Sequence, residues 1–300
     1  MTRMPTEQIR KLKKQIKQEE LRRRRKKNDK LRRLIGGLLL VLLLALGSGI
    51  IYYRQTLDTR LAQRYHQGLS RVDQGSFEEA VEIFRELRED YPQRTVAPKA
   101  LFQEGEVHYL FLQQFPEALV AYLLLLRDYP TSEFSGKAQR QVAEIYKYGL
   151  RDCPKSIVAF QKLLNSVITD GDQVQNEIAD CYFRLQNFEQ ARIEFESLLK
   201  NYPDSPLQAE ATYRIGVTLS LEGDLDAAEK TFLQIPEKWP DSPFVSEAKL
   251  GLAGVFEERS ELQRALDLLL DLQENYPKPQ VLKQRIDQIQ DRIAQKKKAI

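Results

Sequence analysis

A recurring interval between large apolar residues constrains the fold of this chain more than any other feature. Leu87, Leu125, Leu163, Leu198, Ile235 and Leu272 are separated by 38, 38, 35, 37 and 37 residues. Two further apolar series keep step with them: Phe84, Tyr122, Phe160, Phe195, Phe232 and Leu269, and Phe77, Phe115, Cys153, Phe188, Leu225 and Leu262. An interval in this range is typical of stacked helical hairpins, in which each repeat contacts mainly its neighbours. The sequence therefore predicts an all-α solenoid of about six helix-turn-helix repeats over residues 57–277.

The fifth repeat shows the local pattern most clearly. Gly216, in the first helix, leaves room for a neighbouring helix to approach closely, and Gly223 stops that helix. Apolar residues from Leu225 to Ile235 then recur at spacings of three and four, which is typical of one apolar face of a second helix. Pro236 and then Trp239-Pro240 are predicted to end this helix, because proline cannot continue the hydrogen-bond ladder.

The same marks recur in register along the array. The small residue of the first helix is Gly68, Gly105, Ala143, Ala179, Gly216 or Ala253, and that of the second is Ala80, Ala118, Ser156, Ala191, Ala228 or Ala265. The second and third repeats hold one inserted residue between these two positions. Most repeats end in Tyr-Pro or Trp-Pro, but the third has Val167-Ile168 instead, and Gly171-Asp172 must begin the next helix.

These marks resemble the tetratricopeptide repeat (TPR) family. Its Gly/Ala, Ala, aromatic and Pro positions are met at Gly68, Ala80, Phe84 and Pro92, with a period about three residues longer than the family's usual one. The Tyr-Pro-Asp-Ser-Pro loop at 202–206 and its Trp counterpart at 239–243 resemble bacterial envelope TPR proteins. These include the TPR lipoprotein of outer-membrane assembly, the TolA-binding cell-division coordinator and, closest in its order of parts, the ancillary SecYEG translocon subunit.

The resemblance implies a concave groove lined by first helices, at positions three before and one and four after the small residue. On this chain those positions give Tyr65, Leu69, Phe102, Tyr109, Arg140, Glu144, Lys147, Asn176, Asp180, Phe183 and Tyr213. Aromatic residues there are of the type enriched at binding hot spots. The alternative is that some of them pack against the next repeat. The Lys/Asn clamp by which some TPR proteins hold a C-terminal carboxylate is not reproduced.

A second candidate surface lies on the second helix of repeat 2, residues 119–126. Val120, Leu123, Leu124 and Leu126 stand where repeat 1 has charged residues. A helix that is apolar on all sides must be covered. We expect this convex patch to dock a partner, a second copy of the chain or the bilayer; alternatively, residues 54–61 fold over it.

An uncharged apolar run at residues 34–53 precedes the repeats. Its 20 residues would make a helix of about 30 Å, the thickness of a hydrocarbon core. Residues 1–33 contain 15 Lys and Arg against 4 Asp and Glu, whereas the rest of the chain contains 31 against 39. The positive-inside rule then predicts a single span with a cytoplasmic N-terminus and periplasmic repeats in a bacterial inner membrane. The alternative is a signal peptide cleaved after Gly47, which would release a soluble periplasmic adaptor.

The basic arm contains six consecutive cations at residues 22–27. Attraction to anionic lipid headgroups is expected, since each Lys or Arg near such a surface contributes roughly 1 kcal/mol. A cytoplasmic regulatory or nucleic-acid-binding protein is the alternative, but no aromatic residue interleaves the cations to stack on bases.

The remaining features favour a scaffold over an enzyme. No nucleotide-binding, hydrolase or metalloprotease motif is present, so no catalytic residue, cofactor or metal is expected. Cys153 and Cys181 are expected to be small core residues, with a disulfide between them left open. Residues 279–298 place Leu282, Ile286, Ile289 and Ile293 on one helical face, which predicts a capping helix for the open end of the solenoid.

The sequence therefore predicts an inner-membrane-anchored scaffold that binds other envelope proteins or peptide segments. Protein translocation, outer-membrane biogenesis and cell-wall or division assembly are the expected settings. Nucleic acid is not expected as a partner, and self-association is left open.

Overall fold

A computed structural model of the chain describes residues 6–166, 168–273 and 276–298. All regular secondary structure in these residues is helical, in thirteen α-helices and two π-helical turns. The chain divides into two compact units, Met1–Gln67 and Gly68–Ile300.

The first unit consists of most of one long helix, α1, which runs over Thr6–Asp73. No proline lies between Pro5 and Pro92, so nothing in this stretch removes a backbone donor from the helix. The side chains at positions 37–49 and 51–53 are all exposed. Among the described residues, α1 is the one helix long and apolar enough to cross a membrane, over the segment Gly37–Asp73.

The second unit begins with the last residues of α1 and continues as helices that pack in chain order. They are α2 (Phe77–Asp90), α3 (Val96–Glu106), α4 (Phe115–Asp128), α5 (Ser135–Glu144), α6 (Cys153–Leu164), α7 (Gly171–Arg184), α8 (Phe188–Asn201), α9 (Gln208–Glu222), α10 (Leu225–Lys238), α11 (Phe244–Glu258), α12 (Leu262–Asp271) and α13 (Pro279–Lys298). From α2 to α13, each helix packs against the next. The pairs that end in α2, α4, α6, α8, α10 and α12 are repeats 1 to 6.

Two first helices end in a π-helical turn. The turn Val107–Phe111 continues α3, and the turn Ile145–Gly149 continues α5. These are the repeats in which the sequence holds one extra residue between the two small positions. A π turn accommodates one added residue without breaking the helix. The insertion is therefore absorbed inside the first helix, and the second helix keeps its register.

Every hairpin turn places one residue in the left-handed region of backbone space. The six residues are Gly75, Gln113, Arg151, Gln186, Gly223 and Ser260, with φ between 52° and 86°. After three of these turns a side chain caps the second helix: Asp152, Asn187 and Asp224 accept hydrogen bonds from the N–H three residues ahead, at 3.0, 3.3 and 3.1 Å. The turn geometry is thus common to all six repeats, although only two have the glycine that it favours.

The second helix of repeat 5 ends at Trp239-Pro240, as predicted, but the prediction that Pro236 already begins its end is wrong. Helix α10 continues to Lys238 with Pro236 inside it. Pro236 removes its own backbone donor from the last turn, but the helical bonding continues to the C-cap Trp239, whose N–H donates to the carbonyl of Ile235. The aromatic residue before the next proline has the same role in repeats 1, 2 and 4, at Tyr91, Tyr129 and Tyr202.

Helix α7 lies between two apolar clusters. Val174, Ile178 and Cys181 belong to the cluster formed with repeats 2 and 3, whereas Ala179 belongs to the cluster that continues to α13. Helix α7 begins at Gly171, as the sequence requires where the aromatic-Pro terminator is missing. Val167 lies outside the described residues.

Helix α13 packs on α12 at the C-terminal end of the array. Leu282, Ile286 and Ile289 are buried. Arg285 Nε also donates to Glu257 Oε1 of α11 at 2.7 Å. One face of α13 thus covers the last repeat, and its other face is charged and exposed.

Candidate protein-binding site

The small residues of the first helices determine how closely each hairpin closes. A Cβ atom at Gly105 would lie 2.6 Å from Tyr122, and one at Gly216 would lie 2.6 Å from Phe232. At that separation the first helix must rest directly on the aromatic ring of the second. The predicted groove positions flank these glycines, so their side chains leave the helix beside this contact.

Two predicted groove residues lie almost completely inside the array. Phe102 is buried, with its ring centroid 5.8 Å from that of Tyr122 and 5.2 Å from that of Phe134. Lys147 is only 1% exposed. Both side chains contact the adjoining repeat and offer little surface to a ligand, which is the packing alternative raised by the sequence.

Lys147 joins repeat 3 to repeat 4 through two carboxylates. Its Nζ lies 2.6 Å from Glu177 Oε2 and 2.7 Å from Asp180 Oδ2. Asp180 Oδ2 also accepts a hydrogen bond from Arg184 Nε at 2.8 Å. Burial raises the pKa of Asp180, but the hydrogen bond and charge of Lys147 outweigh it, so this pKa lies below its ordinary value. The predicted residues Lys147 and Asp180 are thus brought together as an ion pair.

Three more predicted groove residues are also tied to neighbours within the array. Arg140 Nη2 donates to Asp170 Oδ2 at 2.6 Å. The guanidinium of Arg214 lies 5.6 Å from the ring centroid of Phe183. The ring centroid of Tyr213 lies 5.7 Å from that of Phe244 in the next repeat. Arg140, Phe183 and Tyr213 nevertheless remain half-buried, so part of each side chain faces solvent.

The middle of the first-helix face is acidic. Burial raises the pKa of Glu144, and the charges of Glu177 and Glu106 raise it further while Arg140 opposes them. Burial also raises the pKa of Tyr109, and the nearby charges of Glu144 and Glu106 add to this. Glu144, Tyr109 and Asn176 are half-buried, as are Tyr65 and Leu69 in α1.

Glu106 lies on the first-helix face but is not among the groove residues predicted from the sequence. Its Oε1 accepts hydrogen bonds from Tyr122 Oη at 2.5 Å and from Gln141 Nε2 at 3.2 Å. Glu106 directly follows Gly105, one of the positions that the family pattern assigns to the groove, so the pattern itself could have identified it. Glu177 lies two residues before Ala179, which is not a position in that pattern.

The second candidate surface is partly open. Val120 is 58% exposed and Leu123 is 44% exposed, whereas Leu124 and Leu126 are half-buried against the apolar core. A recess of about 580 Å³ lies beside Leu123 and Leu126. We call it the α4–α6 groove. Its lining comprises Leu123, Leu126 and Arg127 of α4, Gln139 and Val142 of α5, Tyr146 of the following π turn, and Pro154, Lys155, Val158, Ala159 and Lys162 of α6.

Neither the histidines nor the cysteines form a reactive site in the described residues. His108 is buried, and its Nδ1 lies 2.7 Å from Gln114 Oε1; His66 is exposed. Cys153 and Cys181 are buried free thiols, and burial together with the hydrogen bond between the Cys181 thiol and Cys153 raises the pKa of Cys181 to about 12. No group of three His, Cys, Asp or Glu side chains in the described ranges could hold a metal ion.

Comparison with known proteins identifies the family. Three family models, each described as tetratricopeptide repeat, match residues 172–235, residues 61–94 and 99–132, and residues 223–278. Together these matches cover more than half of the chain. The chain is a TPR protein, and the all-α, TPR-like solenoid predicted from the sequence is confirmed.

Solved structures with the same fold share little sequence with this chain. A tetratricopeptide repeat protein from Parabacteroides merdae is 19% identical over 77% of this chain and 86% of its own, with a TM-score of 0.52. YrrB, described as a TPR protein with an unusual peptide-binding site, is 15% identical over 69% of this chain and 99% of its own, with a TM-score of 0.51. No curated protein sequence matches the chain.

Proposed function

We propose that this chain is a membrane-anchored TPR scaffold that holds other envelope proteins or peptide segments. Its parts would be a basic cytoplasmic tail (1–33), a single span (34–53), a periplasmic repeat array (57–277) and a capping helix (279–298). The observation on which the proposal depends is the order of these parts: a basic arm, then an exposed apolar stretch of α1, then six hairpins.

Exposure of the apolar stretch supports the span. The 16 exposed residues at positions 37–49 and 51–53 form a leucine-rich helix surface that would be costly in water, because each apolar Å² exposed costs roughly 25 cal/mol. Leu40, Leu43 and Leu44 are between 61% and 66% exposed. A hydrocarbon core would cover them, and the basic arm would then lie on anionic headgroups of the cytoplasmic leaflet.

Binding at the first-helix face is the proposed activity of the array. Tyr65, Leu69, Tyr109, Glu144 and Asn176 are half-buried and can present surface to a ligand, and so can Arg140, Asp180, Phe183 and Tyr213 in part. Phe102 and Lys147 would shape this face from within. A peptide that inserts between aromatic and acidic side chains fits such a surface, and the peptide-binding site named for YrrB is consistent with it.

Membrane topology is tested by labelling single introduced cysteines with a membrane-impermeant maleimide. The native Cys153 and Cys181 are buried, so neither should react in the folded protein. K137C, at an exposed position in α5, should be labelled in cells whose outer membrane is permeable. K13C, at an exposed position in the basic arm, should be labelled only after lysis.

Three results would contradict the proposal in distinguishable ways. Labelling of K13C but not of K137C in the same cells before lysis would show that the chain has the opposite orientation in the membrane. A mature chain that begins at Ser48 would show a cleaved signal peptide and a soluble adaptor. Protection of both positions, with binding of nucleic acid that falls steeply with salt, would support a cytoplasmic protein that uses residues 22–27.

A further inference from the structure

The α4–α6 groove combines apolar walls with a recessed floor. Leu123 and Val158 stand at its rim, 44% and 53% exposed. Val142 and Ala159 line it from below and are 3% and 5% exposed. Its volume of about 580 Å³ falls in the range of pockets that hold ligands. A flat surface cannot reach the floor of such a recess, but inserted side chains can.

The charged residues that line this groove are all cations. Its lining includes three cations, Arg127, Lys155 and Lys162, and no carboxylate. Arg127 Nε lies 2.6 Å from Asp128 Oδ1, and Lys155 Nζ lies 2.9 Å from Asp152 Oδ2, outside the groove. Lys162 is exposed and makes no ion pair within the described residues.

One row of exposed apolar residues, of which Val158 lines the groove, is confined to repeats 2, 3 and 4. Val120 of α4, Val158 of α6 and Ile193 of α8 each stand two residues after the small residue of their helix, and each is at least 40% exposed. The equivalent residues of repeats 1, 5 and 6 are Glu82, Lys230 and Asp267. Exposed apolar residues that share one register in three consecutive repeats form a surface, whereas isolated ones need no explanation.

We propose that the α4–α6 groove binds an amphipathic helix of another protein, with apolar anchors in the groove and carboxylates beside Lys155 and Lys162. Helices commonly bind in this way, by inserting apolar side chains spaced three and four residues apart. The cations at the rim select an acidic flank. This proposal rests on the scaffold role proposed above, but it does not depend on membrane topology.

The test uses the full chain in polymer-bounded discs of phosphatidylcholine and two labelled synthetic helices. Both helices have Leu at positions i, i+3, i+4 and i+7; one has Glu and the other Lys at the flanking positions. Fluorescence anisotropy should show binding of the Glu helix at least about tenfold tighter than that of the Lys helix. V158E should abolish this binding, and the double variant K155E/K162E should reverse the preference.

Leu233 supplies the matched control. It occupies the position in repeat 5 that Leu123 occupies in repeat 2, and it is similarly exposed at 48%, but it lies outside the groove. L233E should bind the Glu helix as the native chain does, while L123E should not. Both variants change exposed side chains, so their circular dichroism and melting should match those of the native protein.

Several outcomes would overturn the proposal. Equal binding of the two helices would refute selection by charge. An equal loss of binding in L233E and L123E would refute binding in the α4–α6 groove. Vesicle binding that needs acidic lipid and is lost in V158E would assign the surface to a bilayer. Self-association lost in V158E would assign it to a second copy. A failure of these binding tests with correct labelling of K137C would leave the anchored scaffold intact and refute only this inference.

Discussion

Gly216 lies directly against the ring of Phe232. We therefore expect the effect of Gly216→Ala on the free energy of unfolding to change sign when Phe232 is replaced by leucine. Phe232 is 2% exposed, and its ring lies between two glycines on neighbouring helices. A Cβ at Gly216 would lie 2.6 Å from its Cε1, and one at Gly251 would lie 2.7 Å from its Cζ. The ring therefore cannot move away from α9 without pressing on α11.

The substitution Gly216→Ala sets two effects against each other. Ordinary contacts of a Cβ begin near 3.4 Å, so the ring would have to move by most of an ångström. Over-packing of this kind costs about 1–3 kcal/mol. Alanine also removes the cost of glycine inside a helix, roughly 0.5–1 kcal/mol. We expect a net destabilisation of about 1–2 kcal/mol.

Replacing the ring should reverse the sign. In repeat 6 the same pair of positions is Ala253 and Leu269, both completely buried, so alanine and leucine fit together in this fold. In the Phe232→Leu background the added Cβ meets a smaller side chain, and only the helix preference remains. Gly216→Ala should then stabilise the protein by about 0.5–1 kcal/mol, a coupling of about 2 kcal/mol between residues in contact.

The single tryptophan provides the assay. Trp239 follows α10 and packs against the same apolar cluster, so its fluorescence reports the unfolding of repeat 5. Urea titrations of the native chain, the two single variants and the double variant complete the cycle. The same sign of Gly216→Ala in both backgrounds would refute the reasoning, because the clash would then not be with the ring. In repeat 3 the equivalent residues are Ala143 and Phe160, so alanine and phenylalanine can stand at these two positions in this fold. A small shift of the Phe232 ring that removes the clash would then be the explanation of such a result.

Further predictions concern the turns and the buried ion pair. Ser260→Gly should stabilise the protein by about 0.5–1 kcal/mol, because φ of 60° is strained for serine and free for glycine; Gly223→Ala, at φ of 86°, should destabilise it by about 1 kcal/mol. Both changes are measured by thermal unfolding. Lys147→Met should destabilise the protein by about 3 kcal/mol in urea titrations at pH 7, because two carboxylates lose their buried partner. The pKa of Asp180 is lowered in the folded state, so its contribution is present above about pH 4 and is lost as pH falls through the lower folded pKa; Lys147→Met should lack this acid-dependent loss. The pKa of Glu144 is raised by burial above its ordinary value of 4.5, so Glu144→Gln should stabilise the protein at pH 7; this gain should shrink as the pH falls and vanish well below pH 4.5, where the carboxyl is protonated in both states.

Each of these has a result that would contradict it. No gain from Ser260→Gly would mean that the serine turn is unstrained. An unchanged acid transition in Lys147→Met would mean that the pKa of Asp180 is set by other neighbours. Destabilisation of Glu144→Gln at pH 7 would mean that the carboxylate has a stabilising partner in the folded array.

The repeated hairpins could be predicted because each repeat buries the same positions. A period of 35 to 38 residues and a small residue opposite an aromatic define the packing of one hairpin, and nothing outside the repeat is needed to identify them. The exact end of α10 was harder to predict from the sequence. Pro236 removes only its own backbone donor, and the helix continues to Trp239, whose N–H bonds to Ile235, so Pro236 does not mark the boundary.

The groove residues were harder to predict because neighbouring repeats decide their burial. Lys147 occupies a groove position by sequence, but Glu177 and Asp180 of the next repeat draw it into the array. The pattern of a single repeat has no information on this pairing. The α4–α6 groove could not be predicted for a related reason: Tyr146 belongs to the π turn that continues a first helix, and only the packing of this turn with α4 and α6 brings it into the same lining as Leu123.

The inserted residues of repeats 2 and 3 connect these observations. A π turn changes the direction of the side chains that follow it relative to those before it, and π turns are frequent at functional sites. The turn after α5 contains both Tyr146, which lines the α4–α6 groove, and Lys147, which pairs with repeat 4. The turn after α3 contains Tyr109, on the acidic first-helix face. Both candidate surfaces therefore depart from the other repeats at the same two hairpins. The repeats with a regular α-helical first helix supply the frame, and recognition of a partner should depend most on repeats 2 and 3.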